Sequence, residues 1–204
     1  LQLEILESSA LSDLNTITTA IETCQEKLGV TVALDDFGTG YSSLTHLRSL
    51  PVDTIKIDRS FVRDMIDDPS DFAIIDGIIG LSDSFNRTVI AEGVETTNQG
   101  LMLLVMGCKE AQGYGIAKPM PVDDFPDWQK NYIPNKEWQA CGNKHRTTKE
   151  KKVELFKLLT QRWKDVFINN IQSSPEEEVE HWPIMNDERC PCGMWIKRAI
   201  QEQL

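Results

Sequence analysis

The chain has 204 residues, a net charge of −11, 40% hydrophobic and 26% charged residues, an ordinary globular composition with room for one large domain or one and a half. The acidic balance argues against a nucleic-acid polymer as partner, which needs a basic face; it leaves room for a small phosphate ligand if metal ions supply positive charge. No apolar run reaches the ~20 residues of a membrane span, no basic-then-apolar leader opens the chain, and five unevenly spaced cysteines do not read as a disulfide framework, so a cytoplasmic setting is expected, with any membrane anchor of a parent protein lying upstream.

Residues 1–6 alternate like a strand. Leu11, Leu14, Ile17, Ile21, Cys24 and Leu28 then recur at steps of three and four, which predicts a helix closed by Gly29. Residues 30–34 are apolar on both faces, as a buried parallel strand is, and end on the adjacent acids Asp35 and Asp36. A glycine-bearing loop leads to a short helix over 42–50, stopped by Pro51. Residues 52–57 form a third strand, ending Lys56-Ile57-Asp58. Asp68-Pro69 offers a helix start, and Phe72, Ile75 and Ile79 carry that helix to about Phe85. A fourth strand over 88–91 ends on Glu92, a helix over 97–106 stops at Gly107, and a fifth strand is expected over 109–114.

Five strand–helix alternations predict parallel strands joined by right-handed crossovers. Glu4, Asp35-Asp36, Lys56 with Asp58, Glu92 and Gln112 each fall at the C-terminal end of a successive strand. In a barrel those ends converge on one mouth, whereas an open sheet spreads them along a line. The fold class expected is therefore α/β, a partial (β/α)8 TIM-type barrel contributing its last five strands, followed by a small α-helical C-terminal region. The opening on Leu1, already inside a strand, leads us to expect a piece of a longer barrel. The domains read as 1–125 for the barrel, 126–148 as a polar linker, and 149–204 as a truncated helical regulatory module.

Two neighbouring carboxylates repel each other and raise each other's pKa unless a cation sits between them. Hard oxygen ligands without histidine suit Mg2+ or Mn2+ better than zinc. For Asp35-Asp36 alone, a helix N-cap with a surface acid is an equal reading; the other strand ends tip it towards a metal site.

Five stretches carry a family resemblance: Leu3-Glu4-Ile5-Leu6-Glu7-Ser8, Asp35-Asp36-Phe37-Gly38-Thr39-Gly40-Tyr41-Ser42-Ser43, Ile55-Lys56-Ile57-Asp58-Arg59-Ser60-Phe61-Val62, Ala91-Glu92-Gly93-Val94-Glu95-Thr96 and the run from Gln112-Gly113-Tyr114 to Pro121. In this order and spacing they resemble the EAL family of cyclic-di-GMP phosphodiesterases, over roughly residues 1–125. The resemblance implies a (β/α)8 barrel that hydrolyses cyclic di-GMP to the linear dinucleotide pGpG with two Mg2+ or Mn2+ ions. It implies Glu4, Asp35, Asp36 and Asp58 as metal ligands, with Asp35 bridging the two ions. It implies Lys56 as the residue orienting the attacking water, and Glu92 as an acid near the second ion and a candidate general base. Glu7, which holds the loop over 37–43, together with Glu95 and Gln112 are the supporting residues it implies. A homodimer through the loop after Asp36 is a further candidate contact.

The family's signature glutamate and its asparagine ligand have no counterpart in these residues, and Leu6 stands where the family often has threonine. The 204-residue chain alone is therefore expected to have little activity. The alternative function is a non-catalytic cyclic-di-GMP receptor or protein-interaction module.

All five tryptophans lie beyond Pro121. Residues 149–169 read as an amphipathic helix, and a closing helix follows Cys190-Pro191-Cys192-Gly193-Met194-Trp195. This tail resembles the chemoreceptor-type zinc-binding domain, which would make His181, Cys190 and Cys192 the candidate zinc ligands. The alternative is a packed helix junction without metal.

Overall fold

The computed structural model describes residues 1–10, 13–40, 44–172 and 190–201. Five strands form one sheet: β1 (Gln2–Leu6), β2 (Thr31–Phe37), β3 (Thr54–Ile57), β4 (Thr88–Ala91) and β5 (Glu110–Ala111). Every neighbouring pair is parallel and the order is β1-β2-β3-β4-β5. A doubly wound sheet reverses its strand order at a switch point. This sheet never reverses, which is the connectivity of a barrel segment.

The register assigns the two faces. Glu4 pairs with Ala33, Leu6 with Asp35, Ala33 with Thr54, and Lys56 with Ile90. Side chains alternate along a strand, so Gln2, Glu4, Leu6, Ala33, Asp35, Thr54, Lys56 and Ile90 share one face. Gln2 Nε2 donates to Thr54 Oγ1 across it at 3.2 Å. The opposite face carries Val32, Leu34, Ile55 and Ile57. These four are buried in one apolar cluster with Ile21, Val62, Ile75, Ile79 and Met102 from the helices. An apolar face covered by helices, opposite a face carrying Glu4, Asp35 and Lys56, is the layout of a barrel wall with its helices outside and its lumen on the charged side.

The crossover helices are α2 (Leu14–Leu28), α3 (Leu44–Ser49), α5 (Pro69–Ser84) and α6 (Thr97–Met106). Asp13 caps α2, and Gly29 ends it in the left-handed conformation at φ 62°. Asp68 caps α5 with Pro69 at its first turn. Two short helices are absent from the sequence reading: α1 (Glu7–Ala10) directly after β1, and α4 (Arg59–Asp64) directly after β3. With four and six residues they are too short to show a 3.6-residue period.

Three expectations need correcting. β2 does not stop at Leu34 but runs through both acids to Phe37. β5 pairs over two residues instead of six, because Gly113 takes φ 153° and Ile116 N donates back to Gly113 O, turning the chain away. The stretch read as a linker holds α7 (Phe125–Asn131) and α8 (Lys136–Gly142). Asn135 caps α8, and Trp138 Nε1 donates to Thr97 O at 2.9 Å, fastening α8 to α6.

The tail helices are α9 (Thr148–Gln172) and α10 (Pro191–Gln201). Leu155 and Leu159 of α9 join the main core, and Arg162 pairs with Asp67 at 3.2 Å. Phe156 stacks on Trp195 of α10, with ring centroids 4.5 Å apart. Among the described residues no helix is long and apolar enough to cross a membrane.

Candidate active site

The polar lumen face converges on Lys56. Its ammonium lies 2.9 Å from Glu4 Oε1, 2.9 Å from Asp35 Oδ1 and 2.6 Å from Glu92 Oε1, with the lysine 4% exposed. Burial alone would depress an ammonium's pKa. Hydrogen bonds to Glu92, Asp35 and Glu4 outweigh it and raise the pKa above its ordinary value, so Lys56 stays charged. Four successive strands thus contribute one cation and three carboxylates to a single cluster.

Asp36 joins it through an unusual backbone. Adjacent residues of a regular strand point to opposite faces. Asp36 takes φ 55°, and the β2–β3 register shifts between Leu34 and Phe37. Such a bulge re-aims a side chain, and a left-handed conformation is uncommon outside glycine. Oxygen atoms of Asp35, Asp36 and Glu92 consequently lie within 4.8 Å of one another. The Asp36 carboxyl is pushed above the usual carboxylate range by burial and then by the charges of Asp35 and Asp58. Asp58 caps α4, accepting from Ser60 N at 2.8 Å and from the Ser60 hydroxyl. Burial pushes its carboxyl up, but these bonds prevail and the net shift is downward.

Glu92 is raised as well, by burial first, with Lys56 pulling the other way. Gln112 Nε2 donates to Glu92 Oε1 at 2.6 Å. Glu7 is 2% exposed, and its Oε2 accepts from Gly38 N at 2.9 Å and Gly40 N at 3.2 Å, tying down the start of the loop after β2. Gly38 is required there: φ is 101°, and a Cβ would meet Phe61 at 2.9 Å.

Of the residues singled out from sequence, the structure brings Glu4, Asp35, Asp36, Lys56, Asp58, Glu92 and Gln112 into this cluster, with Glu7 behind its loop. Glu95 stands apart: it is exposed, and its backbone N–H donates to Gln99 Oε1 in the cap of α6. His181 lies outside the described residues. Cys190 is buried, and Cys192 Sγ lies 3.6 Å from Thr160 Oγ1. Two supporting residues went unread. Ser60 could have been found from the Asp58-x-Ser60 pattern of a helix cap, and Gln99 from the Thr96-x-x-Gln99 capping box.

The donor set fits a divalent cation of the hard, oxygen-loving kind. Asp35 Oδ1 is buried, with the Lys56 ammonium 2.9 Å away as its close neighbour. Such an acceptor beside two further carboxylates is a place where a cation relieves repulsion.

The EAL domain family model matches residues 1–119. The chain belongs to the EAL domain family. A cyclic di-GMP phosphodiesterase of Pseudomonas aeruginosa is 41% identical over 128 residues, 63% of this chain and 22% of that protein. The EAL domain of Mycobacterium smegmatis DcpA is 45% identical with a TM-score of 0.60, covering 65% of this chain and 60% of that one. The P. aeruginosa MucR phosphodiesterase, solved as a c-di-GMP complex, is 40% identical with a TM-score of 0.59, covering 61% of this chain and 50% of that one. The chain therefore spans about a fifth of that curated relative's length and between half and two thirds of these solved EAL chains. The sequential parallel sheet agrees with the barrel-like fold of those EAL neighbours.

Proposed function

We propose that this chain carries the catalytic face of a cyclic-di-GMP phosphodiesterase, cleaving one phosphodiester bond to give linear pGpG in bacterial second-messenger signalling. The observation that supports it best is Lys56 held by Glu4, Asp35 and Glu92 beside the Asp36–Asp58 pair. A receptor needs only complementarity to a dianionic dinucleotide. Four half-buried acids and the more exposed Glu4 facing one lysine suit it poorly without cations.

In this reading Glu4, Asp35, Asp36 and Asp58 would hold Mg2+ or Mn2+ ions. Such ions supply Lewis-acid polarisation of a phosphoryl oxygen and a lowered pKa for water. Lys56 orients the attacking water and places positive charge where the phosphorane-like transition state gathers negative charge. Glu92 is the candidate general base, since its burial-raised carboxyl sits closer to neutrality than a free one. Gln112 fixes its rotamer through Oε1. Glu7 holds the loop after β2, which is also the proposed homodimer contact. Residues 149–204 act as a helical regulatory module, reaching the barrel through α6 and Asp67. The 204-residue polypeptide alone has little or no activity, because the family's signature glutamate and asparagine ligand have no counterpart in it.

The test is hydrolysis of cyclic di-GMP by the whole protein with Mg2+ or Mn2+, beside Asp35→Ala and Lys56→Ala. The wild type is expected to produce pGpG, and each variant to lose at least about 100-fold in kcat. Variants as active as the wild type would overturn the assignment.

A further inference from the structure

One buried carboxamide joins the two loops that carry the acids. Gln99, the third residue of α6, is 6% exposed. Its Oε1 accepts from Glu95 N at 3.0 Å and Thr96 N at 2.9 Å. Its Nε2 donates to Val62 O at 3.2 Å and Arg63 O at 3.4 Å. The accepting half belongs to a capping box, in which glutamate would serve as well as glutamine. The donating half would not survive that exchange. Val62 O and Arg63 O belong to the last turn of α4, where carbonyls lack intrahelical partners, and a carboxylate offers them no donor. Among side chains of this length only glutamine's carboxamide satisfies both sides.

The two helix ends so joined are not arbitrary. α4 starts at its cap Asp58, and the segment 93–96 follows Glu92 directly. A second contact ties the same two segments. Gly93 takes φ 69°, and a Cβ there would lie 2.7 Å from Arg59 Cβ, so the backbone after Glu92 nests against the first turn of α4. Glu92 N also donates to Ile57 O, one residue before Asp58. The α4 helix is thereby gripped at its start by Gly93 and at its finish by Gln99.

We infer that Gln99 is a positioning residue of this site: its carboxamide locks α4, and with it the Asp58 carboxylate, against the loop that carries Glu92. The inference rests on the phosphodiesterase reading and assigns Gln99 no contact with substrate. The spacing between the acids at the ends of β3 and β4 is set from behind by neutral hydrogen bonds, where the acids themselves only repel.

The test uses the whole protein. Gln99→Glu keeps the acceptor contacts of the cap and loses both donor contacts to α4. Thr96→Ala removes the hydroxyl that accepts from Gln99 N at 3.3 Å and leaves the link to α4 intact. Only Thr96→Ala weakens the cap of α6, and only Gln99→Glu releases α4. Mn2+ binding is titrated by loss of the free-ion EPR signal, with kcat and KM for cyclic di-GMP measured in parallel. Gln99→Glu is expected to weaken Mn2+ binding about tenfold or more and to lower kcat with KM near wild type. Thr96→Ala is expected to bind Mn2+ as the wild type does. If Gln99→Glu gives no cooperative melt, Gln99→Met, apolar and of similar length, replaces it with the same expectation. Unchanged Mn2+ affinity in the Gln99 variant, or an equal loss in Thr96→Ala, overturns the inference. A wild type that binds Mn2+ without hydrolysing the dinucleotide overturns the phosphodiesterase reading instead, and the titration still decides on Gln99.

Discussion

Replacing Lys56 by methionine keeps most of the stem volume and removes the charge. What remains is three carboxylates that had shared one ammonium at 2.6–2.9 Å. At an effective dielectric of about 20, each such contact is worth roughly 6 kcal/mol before desolvation is counted. Glu4 is 48% exposed, so its share falls to about 1 kcal/mol or less. Asp35 and Glu92, 19% and 14% exposed, carry the rest. Removing one partner of a buried ion pair costs about 3–5 kcal/mol net, and we expect that loss near neutral pH. The charge origin gives a pH signature. Glu92 and Asp36 are already raised with Lys56 present, and without it they rise further. A carboxyl raised in the folded state contributes stability below its unfolded pKa and loses it as pH climbs through the folded one. The gap between wild type and Lys56→Met should therefore be small near about pH 4 and open fully by about pH 7.5. Urea unfolding at both values measures it, and millimolar Mg2+ should narrow the gap at the higher pH. A gap of equal size at both, unmoved by Mg2+, would mean that packing and not charge was lost.

Other perturbations separate the scaffold from the site. Glu7→Ala leaves Gly38 N and Gly40 N without their acceptor; it should lower stability by about 1–3 kcal/mol and speed hydrogen exchange at those two amides. Gly100→Ala improves helix propensity yet places a Cβ 2.4 Å from the Trp138 ring; the clash should prevail by about 1–3 kcal/mol, with a shifted tryptophan emission as α8 lifts from α6. Burial pushes the Cys108 thiol up to about 11. Its stabilising contribution is complete below the unfolded pKa near 9 and lost as pH rises through 11, a decline of about 2–3 kcal/mol that should be missing from Cys108→Ala in urea melts.

Much of the barrel wall was legible because its signals are periodic or punctuated. Strand β1 showed as an alternating run and β2 to β4 as short apolar-rich runs, and α2, α5 and α6 carried apolar faces with Gly29, Pro69 and Gly107 at their ends. The acids were legible because each falls at or near the C-terminal end of an expected strand, although Glu4, Asp35 and Asp36 lie within their strands. What could not be read was non-periodic. Helices this short carry no repeat, so α3 was read only from the stop at Pro51, while α4, with no such punctuation, was invisible although it is capped by Asp58. The positive φ of Asp36, which lets adjacent acids face one site, follows from packing around the bulge and not from residue type. Glu95, implied only as a supporting residue, is exposed, and its backbone N–H donates to Gln99 in the cap of α6. Gln99 carries a legible capping pattern, while its second role needs α4 in place. The helices α7 and α8 sit in a stretch whose composition resembles a linker, and the docking of Trp138 on α6 is what anchors α8.

The most direct measurement is the product of one reaction. Cyclic di-GMP incubated with the whole protein and Mn2+ should yield the linear dinucleotide carrying a single terminal phosphate, separable by ion-exchange chromatography, and Asp35→Asn should leave the cyclic compound intact. Recovery of the intact cyclic dinucleotide from a wild-type protein that binds it tightly would contradict the account and leave a receptor in its place.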